Sequence, residues 1–248
     1  MAGHSKWANI KIRKGAQDAK RGKIFTKLIR EITTAARLGG GDLAANARLR
    51  GAVLAARMQN MPKDTTERAI KRGAGGLDGA NYEEARYEGY GPGGVAVIVQ
   101  TLTDNYNRTV ADVRHAFTKY AGNLGTAGCV SYLFDSKGAL VFEGCNEDAL
   151  IEAALEAGAE DVVADGTTFE VITAPDQLHA IQETLAQAGF NPMQAELIMR
   201  PQNSVTLDEK QASSMLKLMD MLEDNDDVQK VYANFDIPDE ILERLANG

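Results

Sequence analysis

Lys6, Lys11, Arg13, Lys14, Lys20, Arg21 and Lys23 fall within the first two dozen residues, with Trp7 among them. Ammonium and guanidinium groups at that density neutralise phosphates and release condensed counterions, and an indole can stack on an unpaired base. The run does not stop there. Lys27, Arg30 and Arg37 continue it, so that residues 1–72 hold 17 Lys and Arg against 5 Asp and Glu, a net charge of +12. Residues 73–248 reverse the balance, 10 against 30, a net of −20. A pI near 5.0 therefore conceals a molecule with two opposite ends. Such asymmetry points to a polyanion held by one segment while the rest stays off it. The candidate contacts are Lys6, Trp7, Lys11, Arg13, Lys14, Lys20, Arg21, Lys23, Lys27, Arg30 and Arg37. Trp7 either stacks on a base or folds against its own domain.

No other constellation competes as chemistry. Gly89-Tyr90-Gly91-Pro92-Gly93-Gly94 lacks the Lys-Ser/Thr of a phosphate loop and precedes a strand, so it reads as a tight turn. In Asp104-Asn105-Tyr106-Asn107-Arg108-Thr109 helix capping is the expectation. The loop Gly122–Gly128 offers backbone N–H groups to an anion. Glu223-Asp224-Asn225-Asp226-Asp227 fails the calcium-loop pattern because Val228 and Gln229 stand where an oxygen ligand and a glycine are required. His4, His115 and His179 sit in no Ser/His/Asp or Cys/His arrangement, and Cys129 and Cys145 form neither a zinc nor a disulfide pattern. Cys129 reads as a small apolar filler. Neither an enzyme nor a cofactor is expected. No apolar run reaches the ~18–20 residues that span a bilayer, and a cytoplasmic location is the simple reading.

The elements that must position the basic residues follow from periodicity. After an arm of about 22 residues, Phe25, Leu28, Ile29, Ile32 and Ala36 share one helical face, with Lys23, Lys27, Arg30 and Arg37 opposite. That helix stops at Gly39-Gly40-Gly41. A second runs from about Ala47 to Asn60 on Leu49, Val53 and Ala56. A third begins at an Asp64/Glu67 capping pair and closes at Gly73. Residues 74–94 read as linker and turn.

Beyond them, β-rich runs alternate with amphipathic helices. Strands are expected at 95–102, 130–134, 139–142, 161–163, 168–172, 195–199, 204–207 and 228–232, and helices at 109–120, 147–157, 176–188, 208–222 and 239–246. The middle set is βαββαβ, the ferredoxin-like order. The sets on either side make a second copy if the middle is an insertion, and Ala154–Gly158 echoes Leu185–Gly189 at two helix ends. The expected fold class is α+β and multi-domain: a basic arm with a three-helix domain (1–73), one α/β domain (74–134 with 203–248), and a second inserted in it (135–202).

Several blocks carry a resemblance. Ala2-Gly3-His4-Ser5-Lys6-Trp7-Ala8-Asn9-Ile10-Lys11, Gln17–Lys27, Met61-Pro62-Lys63-Asp64, Tyr87–Gly94, Asn107-Arg108-Thr109, Gly122–Thr126 and Asp226–Tyr232 closely resemble the YebC/PmpR family from end to end. Ile12, Gly15 and Cys129 depart from it and leave the basic pattern intact. The resemblance implies a three-domain, non-enzymatic protein with a cleft between its α/β domains. Members are usually labelled DNA-binding transcription regulators. Others, including a mitochondrial translational activator of cytochrome oxidase, look like ribosome-associated factors that help synthesis through proline-rich stretches. The expected partner is thus DNA, or ribosomal or transfer RNA and the ribosome itself, reached through residues 1–72. Neither a helix-turn-helix signature nor dimerisation heptads are present, and the pattern sets no oligomeric state.

Overall fold

The computed structural model describes residues 17–75 and 81–247. Three helices come first: α1 (Gln17–Gly39), α2 (Ala47–Met58) and α3 (Lys63–Ala74). Ile32, Ala35, Ala36, Leu49, Val53, Ala56 and Ala69 form their core, with Phe25, Leu28 and Ile29 packed on it, as the apolar stripe of α1 requires. α1 starts earlier than its stripe does. Gln17-Asp18-Ala19-Lys20-Arg21 are good helix formers apart from Asp18, which suits the first turn. Asn46 caps α2 by accepting from Leu49 N, and its amide donates to Ala35 O and Gly40 O at 2.8 Å, fixing the α1–α2 corner.

Two expectations for α3 change. Pro62 is its N-cap and no side chain caps it, with Asp64 in the first turn. Gly73 does not end the helix either. A Cβ there would lie 2.3 Å from Thr33 O and 2.8 Å from the Ala36 Cβ, so the missing side chain is what lets α3 lie against α1.

The rest of the chain runs β1 (Glu83–Tyr90), β2 (Ala96–Thr103), α4 (Tyr106–Lys119), β3 (Asn123–Leu124), β4 (Phe134–Glu143), α5 (Glu147–Glu156), β5 (Asp161–Asp165), β6 (Thr168–Thr173), α6 (Leu178–Gln187), β7 (Gln194–Pro201), β8 (Val205–Thr206), α7 (Glu209–Glu223), β9 (Val228–Ala233), β10 (Phe235–Asp236) and α8 (Asp239–Asn247). One sheet has the order β3-β1-β2-β9 and the other β5-β6-β4-β7. All their pairings are antiparallel. The second is the ferredoxin-like sheet expected of the middle set. In the first, the corresponding third position is filled by β1, which the glycine-rich composition of 74–94 concealed. The expected strand at 130–134 is instead a 3₁₀ turn at Ser131–Leu133 leading into β4, and 134–143 is one continuous strand. The echoed segments both end in glycines of positive φ, +93° at Gly158 and +90° at Gly189. Ala159 N donates to Ala154 O and Phe190 N to Leu185 O, the same helix-terminating motif twice.

α4 and α7 cover one face of the first sheet, where Val97, Val99, Val113, Phe117, Met215 and Leu218 are buried together. On its opposite face Ala96, Ile98, Val130, Phe134 and Tyr232 meet Ile198 and Met199 of β7. The two sheets are thus joined through β7, where Lys230 on β9 also pairs with Glu196.

Candidate nucleic-acid interface

Of the basic residues singled out from the sequence, Lys6, Trp7, Lys11, Arg13 and Lys14 lie outside the described residues. Lys20 and Arg21 occupy the first turns of α1, and their side chains also lie outside the description. The remaining four are in view, and each meets the α/β body.

Lys23 Nζ lies 2.6 Å from the Asp224 carboxylate. Lys27 Nζ donates to Glu223 O at 2.6 Å. Arg30 donates to Asp227 Oδ1 at 2.5 Å and to Leu102 O at 3.0 Å. Arg37 donates to Tyr82 O at 2.5 Å and to Asn81. The acidic run 223–227 is therefore the socket in which α1 sits. Its helix end presents the Glu223 and Asp224 carbonyls and the negative pole of α7 to two ammonium groups, a favourable arrangement for both. Among the described residues, no three His, Cys, Asp or Glu side chains cluster with metal-binding geometry.

Asp227 is the centre of this contact. Its side chain is 4% exposed and that of Arg30 13%. Besides Arg30 it accepts from Arg108 Nη2 and Thr109 Oγ1, both at 2.7 Å, and from Thr103 Oγ1 at 3.3 Å. Burial pushes this carboxyl upward, but hydrogen bonds from Arg30, Arg108 and Thr109 outweigh it and hold the group below the usual carboxylate range. Tyr87 is pushed up to about 12 by burial first, then by the neighbouring Tyr106 and Asp227. The Arg30 guanidinium thus already holds a buried anion within the protein.

A second internal anion corrects another expectation. The amides of Val130 and Ser131 donate, at 3.0 Å each, to Glu88 Oε2, a carboxylate buried beneath the glycine-rich loop. Burial again pushes upward, and the amides of Val130, Gly128 and Ser131 with the charge of Arg86 overcome it, so Glu88 is held low. Of the loop Gly122–Gly128, the Gly128 amide serves the protein's own Glu88. Beside it Cys129 is half-buried; burial and then Glu88 push its thiol up, as befits a packing residue and not a nucleophile. Asn105 caps α4 as expected, accepting from Arg108 N.

Comparison with known proteins now adds to this geometry. Residues 5–76 match the family described as TACO1/YebC protein N-terminal domain, and residues 82–235 match the one described as TACO1/YebC second and third domain. The chain belongs to the TACO1/YebC family. A probable transcriptional regulatory protein of Magnetococcus marinus is 68% identical over 249 residues, 99% of this chain and 100% of that one. One of the same name from Syntrophotalea carbinolica is 62% identical over 246 residues, 99% of each. The crystal structure of a conserved hypothetical protein from Aquifex aeolicus superposes with a TM-score of 0.86 at 48% identity, covering 92% of this chain and 99% of that one.

In this TACO1/YebC chain the cations that face solvent on the helical domain lie elsewhere than on the docked face of α1. Arg48 is held by Glu31 and Glu84, and Arg50 by the carbonyls of Leu43 and Ala44. Arg57, Lys71 and Arg72 are exposed and form no salt bridge with any described residue. Arg68, Lys71 and Arg72 give α3 a basic outer side, a pattern legible as cations at positions 68, 71 and 72, one helical face apart from the core.

Proposed function

We propose that this protein is a non-enzymatic regulator of gene expression that binds nucleic acid through its basic N-terminal region. The observation that carries the reading is the charge segregation, +12 over residues 1–72 against −20 over the remainder. The structure bears on it in one respect. Docking α1 uses Lys23, Lys27, Arg30 and Arg37, whereas Lys6, Lys11, Arg13, Lys14, Lys20 and Arg21 precede that contact, and Arg57, Lys71 and Arg72 face away from the core. A row of phosphate contacts with an acidic body behind it binds polyanions and repels them from every other surface.

The relatives' names point to transcription. One feature of α3 favours folded RNA. α2 and α3 are joined by residues 59–62, so α3 is the helix that a helix-turn-helix reading would assign to recognition. Its first turns expose Asp64 and Glu67, carboxylates at the end that a recognition helix inserts between phosphate rows. It also carries no Asn or Gln for adenine edges. Recognition of RNA by shape and phosphate needs neither. The preferred acceptor is therefore structured RNA of the translation apparatus, and promoter DNA is the second reading.

In-cell ultraviolet crosslinking followed by sequencing of the attached nucleic acid tests both. Discrete ribosomal or transfer RNA segments support the first reading; a few promoter fragments with little RNA replace it with the second. Replacing Lys11, Arg13, Lys14, Lys20 and Arg21 with Ala flattens the salt dependence by about 0.9 per lost duplex contact, or about 0.7 on single strands. An unchanged slope removes the arm from the interface.

A further inference from the structure

The α/β body has few cations, and where it leaves them unpaired is informative. Residues 73–248 contain 10 Lys and Arg among 30 Asp and Glu. Arg86, Arg108, Lys137, Arg200, Lys230 and Arg244 are each in a salt bridge with a carboxylate of the body. The other four are Arg114, Lys119, Lys210 and Lys217. All four are exposed and form no salt bridge with a described residue. All four also lie on α4 and α7, the two helices covering one face of the first sheet. In a surface so rich in carboxylates, leaving every remaining cation on one layer is a placement that pairing would have removed if nothing else used it.

Lys119 and Lys217 line one groove of about 780 Å³ between α4, α7 and the start of α1, which contributes Lys23, Ile24 and Lys27. The groove is electrically polarised along its length. Asn225, just past the end of α7, donates to Asp112 in the middle of α4 at 3.2 Å. The carboxylates of Asp112, Glu223 and Asp224 gather at that contact, against α1, and Asp220 lies between it and Lys217. At 1.5 Å per residue, Lys119 and Lys217 both lie about 10–12 Å back from that contact, at the basic end. Lys119 Nζ lies 5.4 Å from the Tyr120 ring.

We propose that Lys119 and Lys217, flanked by Arg114 and Lys210, form a second phosphate-binding patch on the otherwise acidic body, taking the backbone of the same folded RNA that the N-terminal region holds. The inference rests on the functional reading above and deepens it. Unpaired like charges from two helices beside one groove raise the local positive potential, which a row of phosphates relieves. The carboxylates at the far end limit the track to the α4–α7 side, so the RNA crosses the helix layer without entering the α1 socket.

The test measures binding of full-length protein to a structured ribosomal RNA fragment, and to a DNA duplex of equal length, across a salt series. Wild type is compared with K119A/K217A and with K137A/R200A, which removes the same charge from the inserted sheet. The expected result is about tenfold weaker RNA binding by K119A/K217A, with the log–log salt slope lowered by about 1.4 to 1.8 for two contacts, and K137A/R200A close to wild type. An unchanged slope for K119A/K217A overturns the patch while leaving the functional reading intact. Equal losses in the two variants overturn it as well, because net charge alone then explains the effect. A loss on duplex DNA with none on RNA overturns the RNA assignment. Absence of salt-dependent binding by wild type overturns the functional reading itself.

Discussion

Replacing Asp227 removes the anion that joins α1 to the body, and the structure sets how much that costs. Both partners are nearly dry, 4% and 13% exposed, and Arg30 Nε has no partner even in the intact protein. Asp227→Ala leaves the Arg30 guanidinium with Leu102 O and the face of the Tyr82 ring, 5.1 Å away, and no anion. Breaking a buried pair from one side costs about 3–5 kcal/mol, since the stranded charge stays desolvated. Asp227→Asn keeps the shape but turns charge-assisted hydrogen bonds into neutral ones and points an amide at Arg108. About 1.5–3 kcal/mol is expected there. Asp224→Ala is the control: its pair with Lys23 is exposed, 70% and 40%, and contributes at most about 1 kcal/mol. Urea denaturation at pH 7 gives all three values. A double-mutant cycle with Arg30→Met then isolates the pair, because Asp227→Asn costs much less once the buried cation is gone. If Asp227→Ala costs no more than Asp224→Ala, or if the cycle shows no coupling to Arg30, the assignment of Asp227 as the anchor is wrong.

The same carboxyl predicts an acid transition. Its folded value lies below the ordinary one, so its stabilising contribution is complete above the unfolded pKa of about 3.9 and disappears as the pH falls through the folded value. The stability difference between wild type and D227N should hold from pH 7 to about 5 and shrink below about 4; a difference that stays constant to pH 2 refutes this. Gly73→Ala should cost about 1–3 kcal/mol through the Thr33 O clash. Gly51→Ala within α2, where an added Cβ meets nothing within 4 Å, should stabilise by about 0.5–1 kcal/mol in thermal melts. Glu88→Gln should cost about 1–3 kcal/mol and raise hydrogen-exchange rates at the Val130 and Ser131 amides; unchanged exchange there would show that the buried carboxylate does not hold the turn.

What could be read in the chain depended on how far apart the interacting residues are. The helices followed from local spacing, since Ile32, Ala36, Leu49 and Val53 need only their own neighbours to define a face. The ferredoxin-like middle followed because its six elements are consecutive. β1 was hidden by composition: Glu83-Glu84-Ala85-Arg86-Tyr87-Glu88 reads as a charged linker, yet Ala85 and Tyr87 alternate into the core, and a period of two was the available signal. The single strand β4 was divided in the reading because Ser136-Lys137-Gly138 is polar, although those residues pair with Met199, Ile198 and Leu197. Gly73 looked like a stop because a glycine marks either a helix end or a close approach, and only the position of Thr33 decides which.

The basic face of α1 shows the sharper difficulty. Charge and periodicity marked Lys23, Lys27, Arg30 and Arg37 correctly as the side away from the helical core, and a polyanion was a sound guess at what that side meets. The acidic run that takes three of them begins nearly two hundred residues later, so no local pattern could distinguish an external phosphate from the protein's own Glu223–Asp227. The two uses nevertheless grade into one another along the helix. Arg30 is buried against a buried anion, where salt screens little. Lys23, seven residues nearer the arm, is 40% exposed against a carboxylate that is 70% exposed, where screening at physiological ionic strength acts over about 8 Å. The anchored end of α1 keeps the arm at a fixed origin on the body. The open end leaves Lys23 lining the same groove as Lys119 and Lys217, at the point where the chain turns from binding its own carboxylates to offering cations outward. Raising the salt should therefore loosen the outer contact and any bound phosphates together, while the Arg30–Asp227 anchor holds.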